Sequence, residues 1–272
     1  MFAPAEGLSA LVVAALFLAG PLADSPEPSP RPTTAVGAPP DTIHLEVGSR
    51  EVDGRVFLPH RARNRVYIGD STTPVSTWVN VLVLGDSAGI PVMRWSSRSD
   101  AIEPGAQTWE LLQTYHARTL EPLGYWLTTT AGVETRLTLE GNRIRGTRRQ
   151  AGGAAPQDVD LTVDRRGFFA GASDLVPVAV GLREGAVMSA PFWHPSMQAP
   201  EVRVFTVLSE ETVDVEGEAV IAWKVEEHRR ATGELIATWW LTESSPFMVL
   251  AEIELPDGRI QRITGVDLGE AE

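Results

Sequence analysis

From residue 43 onward, apolar and polar positions alternate in short runs separated by compact turn signals, and a ~3.6-residue helical period holds over only one segment. Val249, Ala251, Ile253 and Leu255 alternate with Glu252 and Glu254, and Ile221, Trp223 and Val225 stand against Lys224 and Glu226. Successive strand side chains point to opposite faces, so each run predicts a strand with one dry and one wet side. The runs are joined by residues that tolerate the positive φ of tight turns: Asp53-Gly54, Ala131-Gly132, Gly141-Asn142 and Glu216-Gly217, with Ala231-Thr232-Gly233 and Pro256-Asp257-Gly258 as longer loops. That order predicts consecutive hairpins.

The exception is 172–183, ASDLVPVAVGLR, where Ser173 or Asp174 can cap a helix that Pro177 restricts to about one or two turns. It is expected to act as a plug or connector. Counting runs gives about eleven to thirteen strands, too many for a flat open sheet. The predicted class is therefore all-β, an antiparallel meander curled into a barrel or half-barrel, with a two-sheet sandwich satisfying the same pattern.

Composition adds a compartment. Residues 8–23, LSALVVAALFLAGPLA, are uncharged and apolar, short for a membrane span of about 20 residues, and read as a signal peptide or N-terminal anchor covering 1–23. The preceding MFAPAEG lacks Lys and Arg and carries Glu6, which departs from the usual positive start. Residues 24–42 are rich in proline and form a linker whose extended reach, at about 3.1 Å per residue, is roughly 55 Å. The remainder, 43–272, is expected to be a single β domain. The chain is thus expected to be exported, periplasmic or envelope-associated.

Net charge is −13, which repels phosphate backbones and anionic lipid headgroups over roughly 8 Å in physiological salt and excludes nucleic acid as the expected partner. There is no cysteine, so disulfides, thiolate metal sites and a lipid-modified N-terminal cysteine are all excluded.

Candidate chemistry is sparse. Gly85-Asp86-Ser87-Ala88-Gly89 fits G-x-S-x-G and resembles the nucleophile elbow of the hormone-sensitive-lipase branch of α/β hydrolases. That elbow needs a helix after the serine. Here VNVLVL precedes and IPVMRWSS follows, which reads strand, turn, strand, and an HGGG-type oxyanion segment is missing. No catalytic residue is assigned, and a serine hydrolase using Ser87 stands as the enzymatic alternative. His44, His60, His116, His194 and His228 show no metal-ligand spacing, so neither a metal nor a cofactor is expected. Arg143, Arg145, Arg148 and Arg149 form a basic strip whose expected use is cross-strand pairing with Asp and Glu.

Eight tryptophans remain. In a curled sheet large aromatics either fill the interior or line a cavity. Trp239 and Trp240 are adjacent and must face opposite sides, so one of them needs a second covering layer or is left as a contact surface.

The second half resembles the exported bacterial proteins of the domain-of-unknown-function 3108 type. The resemblance is carried by RTLEPLGYW (118–126), LTLEGNRIRGTRR (137–149), GASDLVPVAVGLREG (171–185), VEGEAVIAWKVEE (215–227) and TWWLTESSPFMVLAEIEL (238–255), covering about residues 110–268. It implies a shape similar to the half-barrels of lipoprotein carriers and receptors, and with it an apolar ligand. The resulting expectation is an envelope or periplasmic binding protein for an apolar small molecule or lipid, held on the concave face near Trp126, Trp223 and Trp240. A non-enzymatic scaffold meeting an envelope protein partner is the third reading.

Overall fold

The computed structural model describes residues 41–271, apart from 101, 103–106 and 154. The signal or anchor expected at 1–23, and the linker expected at 24–42 as far as residue 40, lie outside the described residues. The first strands are β1 (Ile43–His44), β2 (His60–Ile68), β3 (Ser76–Ser87), β4 (Ile90–Asp100), β5 (Trp109–His116), β6 (Pro122–Thr129), β7 (Glu134–Glu140), β8 (Arg143–Arg149) and β9 (Gln157–Thr162). After them come β10 (Phe168–Phe169), the short helix α1 (Leu175–Val180), β11 (Val187–Trp193), β12 (Glu201–Val215), β13 (Glu218–Arg229), β14 (Leu235–Leu241), β15 (Met248–Glu254) and β16 (Ile260–Gly269).

These strands form one sixteen-stranded sheet in the order β1-β11-β12-β13-β14-β15-β16-β2-β3-β4-β5-β6-β7-β8-β9, with β10 beside β11. Two antiparallel meanders, β2 to β9 and β11 to β16, meet where β16 pairs with β2 in the register Ile263↔Val66. Only β1 and β10 run parallel, both to β11. The path is open, so the sheet is a curled one whose ends are β1 and β9. Twist makes a sheet this wide curl, and curling lets one face enclose a core.

The core side includes Trp78, Leu82, Met93, Trp95, Tyr115 and Tyr125 from the first meander, and Phe205, Val207, Val225 and Ala251 from the second. The segment between the meanders fills the interior. Phe168, Phe169, Leu175 and Val176 are all buried, and Phe169 packs edge-on against Tyr115 with ring centroids 5.5 Å apart. The helix is therefore the expected plug, following Asp174 and ending at Gly181. At the seam between the sheet's ends, the Arg148 guanidinium donates to the Pro195 carbonyl, and Tyr125 faces the His194 ring.

Most predicted turns fall between strands, but Asp53-Gly54 does not make a hairpin. The Asp53 carboxylate caps a single 3₁₀ turn, Gly54–Val56. The Asp53 and Gly54 amides donate to the carbonyls of Ala179 and Arg118 at 2.9 and 2.8 Å. These long-range bonds carry the segment across one end of the sheet instead of back on itself.

The β12–β13 hairpin is an arm. A register shift between Val207 and Glu210 bends it. Beyond the bend it lies over the outer face of β14 to β16, where Val215 and Ala222 enclose Trp240, Val249 and Leu250 in a second cluster. At its tip the Glu216 carboxylate accepts from Arg63, Arg65 and the Thr264 hydroxyl. Trp239 lies in the main core and Trp240 beneath the arm, which is the second covering layer. The bend also turns Ile221 outward, leaving it 66% exposed although its alternation marks it as a core position.

Candidate binding site

Hairpin register decides where each indole points. Trp126 pairs with Leu112 on β5 and Arg136 on β7, while its neighbours Tyr125 and Leu127 point into the core. Trp126 therefore stands on the outer face. Trp240 is also on the outer face, but under the arm, where its Nε1 donates to Glu211 Oε2 at 3.2 Å and the Lys224 ammonium lies 5.5 Å from its ring. Trp223 is half-buried and packs against the main core. The three indoles expected to share the concave face do not come together, and the core residues and the α1 segment occupy that face. Adjacent-residue parity and the arm's bend account for the separation.

Around Trp126 the outer face of β5 to β8 forms an open trough of about 580 Å³. Leu112, Thr114, Trp126, Arg136, Thr138 and Thr147 line it, and Gly124 leaves its floor without a side chain. Leu112, Trp126 and Arg136 lie in one row across the strands and Thr114, Gly124 and Thr138 in the next. The Arg136 guanidinium sits 6.0 Å from the Trp126 ring centroid and its Nε is 2.9 Å from Glu134 Oε1. A cation over an indole face is held by the ring quadrupole, which leaves the other edge of the guanidinium for an anion. The Trp126 Nε1 donor is shielded from solvent and has no hydrogen-bond partner, a state that costs on the order of 1–3 kcal/mol.

The basic strip divides by face. Arg143 forks onto Asp160 at 2.9 and 2.6 Å, and Arg149 lies 3.6 Å from Glu134, both on the outer side. Arg148 points inward to the seam. There His194 Nδ1 lies 2.7 Å from Ser196 Oγ and accepts from the Ser196 amide, while His194 Nε2 and the Tyr125 hydroxyl are buried without partners. Burial, with the Arg148 and Arg203 charges, lowers the His194 pKa to about 4.

A buried polar group was not foreseen. Glu227 accepts from Arg203 Nη1 at 2.6 Å and from the Trp239 indole at 2.8 Å. Asp174, partly screened from solvent ahead of α1, has its pKa raised to about 7 by desolvation and by the Glu227 charge. Glu226-Glu227 reads in sequence as a solvated pair; strand parity puts Glu227 inside and Glu226 against His228 at 3.1 Å.

Ser87 closes β3 at an exposed hairpin tip. Ala88 and Gly89 take positive φ, and the Asp86 carboxylate accepts from the Gly89 amide at 2.7 Å. A strand follows the turn, so the hydrolase alternative has no strand-to-helix corner to stand on.

No family model matches the chain, that of the domain-of-unknown-function 3108 type included, and no curated protein matches. Among solved structures, a beta-barrel-like protein of domain of unknown function DUF1849 from Brucella abortus is 15% identical, with 79% of this chain and 99% of that one covered at a TM-score of 0.47. The hypothetical lipoprotein YmcC from Escherichia coli is 10% identical, with 77% and 88% covered at a TM-score of 0.31. Likeness at this level transfers no residue roles. The site rests on its own geometry.

Proposed function

We propose that this chain is an exported, envelope-associated binding protein that holds an amphiphile with an apolar chain and an anionic group in the trough at Trp126. The observation that carries the reading is the unpartnered indole donor beside the stacked Arg136. An apolar chain lying over Gly124 would cover Leu112 and the Trp126 ring. Its anionic group would meet Arg136, and an acceptor on the ligand would satisfy Trp126 Nε1. Ligand pockets commonly combine an apolar wall with a few convergent polar groups in this way. The export reading draws support from the apolar run at 8–23 and the proline-rich 24–42.

Native mass spectrometry of protein purified from its own envelope tests this. The expected result is a bound apolar mass on the wild type, lost in Trp126→Ala and retained in Trp223→Phe. An apo wild type that also takes up no lysophosphatidylglycerol would refute the reading.

A further inference from the structure

Strand directions place several exposed apolar side chains at one end of the sheet. The β3–β4 hairpin projects there, because the last pair between β2 and β3 is His60↔Leu82 while β3 and β4 continue to pair as far as Ser87↔Ile90. Leu84 and Ile90, on this projection, are 44% and 45% exposed. Leu84 pairs with Met93 and shares its face; Ile90 alternates onto the opposite one. The hairpin thus carries one exposed apolar side chain on each face, with Asp86 and Ser87 at its tip. Beside it runs the segment that crosses the end of the sheet, with Phe57 fully buried but Leu58 67% exposed. The two are in close register: an added Cβ at Gly54 would stand 2.2 Å from the Ala117 carbonyl oxygen, and the Ala117 amide donates to Pro91.

Charge at this end has a matching arrangement. Arg55, Arg61, Arg94 and Arg118 are exposed around the apolar tip. Asp53 takes up the charge of Arg55 at 2.7 Å, Asp86 accepts from the Gly89 amide and Asp267 from Ser245 and Gly269. Glu243 and Glu270 are exposed, so against a net charge of −13 the attraction to phosphate is local to Arg61, Arg94 and Arg118. The described chain also enters here, since Ile43 pairs with Met188 near the start of β11. Upstream in sequence lie the proline-rich stretch and the apolar run at 8–23.

We infer that this end of the sheet docks on a lipid bilayer surface, with Leu84 and Ile90 entering the interface and the arginines meeting headgroup phosphates. A protein groove would cover one face of the hairpin. A bilayer covers both, and amphipathic segments with a cationic rim bind anionic surfaces by burial and charge together. The GDSAG sequence then serves as the tight turn of an inserting hairpin.

The chain has no cysteine, so Leu84→Cys, Ile90→Cys and, at the opposite end of the sheet, Asp257→Cys each give the full chain one labelling site. These positions are exposed, and circular dichroism checks that each variant keeps the fold. With an environment-sensitive nitrobenzoxadiazole probe and vesicles of phosphatidylethanolamine and phosphatidylglycerol, emission at 84 and 90 should brighten several-fold and be quenched by doxyl-labelled acyl chains, with no change at 257. Absence of quenching at 84 and 90, or equal quenching at all three positions, overturns the inference.

Discussion

Arg203 Nη1 donates to Glu227 Oε1 across 2.6 Å inside the sheet, where Glu227 has no solvent exposure. The Glu227 carboxylate also holds the Trp239 indole, and Arg203 continues to Glu201 at 2.9 Å. A buried pair of this kind gains little over an apolar replacement, but removing one partner strands the other charge away from water.

Arg203→Met should therefore destabilise the fold by about 3–5 kcal/mol in urea unfolding. The double variant Arg203→Met with Glu227→Gln keeps an acceptor for Trp239 and removes the stranded charge. It should recover a large part of the loss, and equal losses in the single and double variants would argue against the pairing.

The arm rests on Trp240 and is latched by Glu216. Trp240→Ala removes the centre of the second cluster and should cost about 3–5 kcal/mol. Glu216→Gln should cost no more than about 1 kcal/mol, because its arginine partners are part-exposed. Both changes should raise amide hydrogen exchange across 211–221 while leaving β3 to β6 protected.

Two groups with shifted pKa values give opposite pH slopes. Asp174 titrates near 7 in the fold against 3.8 unfolded, so the folded state keeps the extra proton and its contribution falls as pH rises through that window. His194 titrates near 4 against 6.5, so the unfolded state takes the extra proton and its contribution falls as pH drops from 6.5 toward 4. Asp174→Asn should stabilise the protein at pH 8, with the gain shrinking toward pH 4 by up to about 1.4 kcal/mol per unit. His194→Gln should remove the acid-side loss. Denaturant midpoints measured from pH 4 to 8 separate the two.

Gly146 sits at φ +153, and an added Cβ would stand 1.8 Å from the Arg136 carbonyl oxygen. Gly146→Ala should push β8 from β7 and cost several kcal/mol, whereas Gly89→Asn, at a left-handed turn position with open space around it, should cost about 1 kcal/mol or less. Thermal unfolding compares them directly.

The strands and most turns were legible because alternation and turn residues are local. Trp126 shows what stayed hidden and why. The two-residue turn read at Ala131-Gly132 would set Trp126 opposite Leu137, but the loop spans Thr130, Ala131 and Gly132 and shifts the register by one, to Trp126↔Arg136. Which face was outer depended in addition on the whole sheet's curl. Ile221 and Trp240 depended on a bulge in β12 that no residue type announces. Asp53-Gly54 carried a turn signal, but long-range bonds to Ala179 and Arg118 overrode it. The two-residue strands β1 and β10 exist only through their pairing with β11, which no local pattern reveals.

The proposed ligand contact is at Trp126 on the outer face, not in the filled interior. Titrating the ¹⁵N-labelled protein with lysophosphatidylglycerol and following the tryptophan indole N–H resonances tests it most directly. The Trp126 resonance, assigned by its loss in Trp126→Phe, should shift on binding while those of Trp223, Trp239 and Trp240 stay in place. A shift confined to Trp223 or Trp239, with Trp126 unmoved, would contradict it.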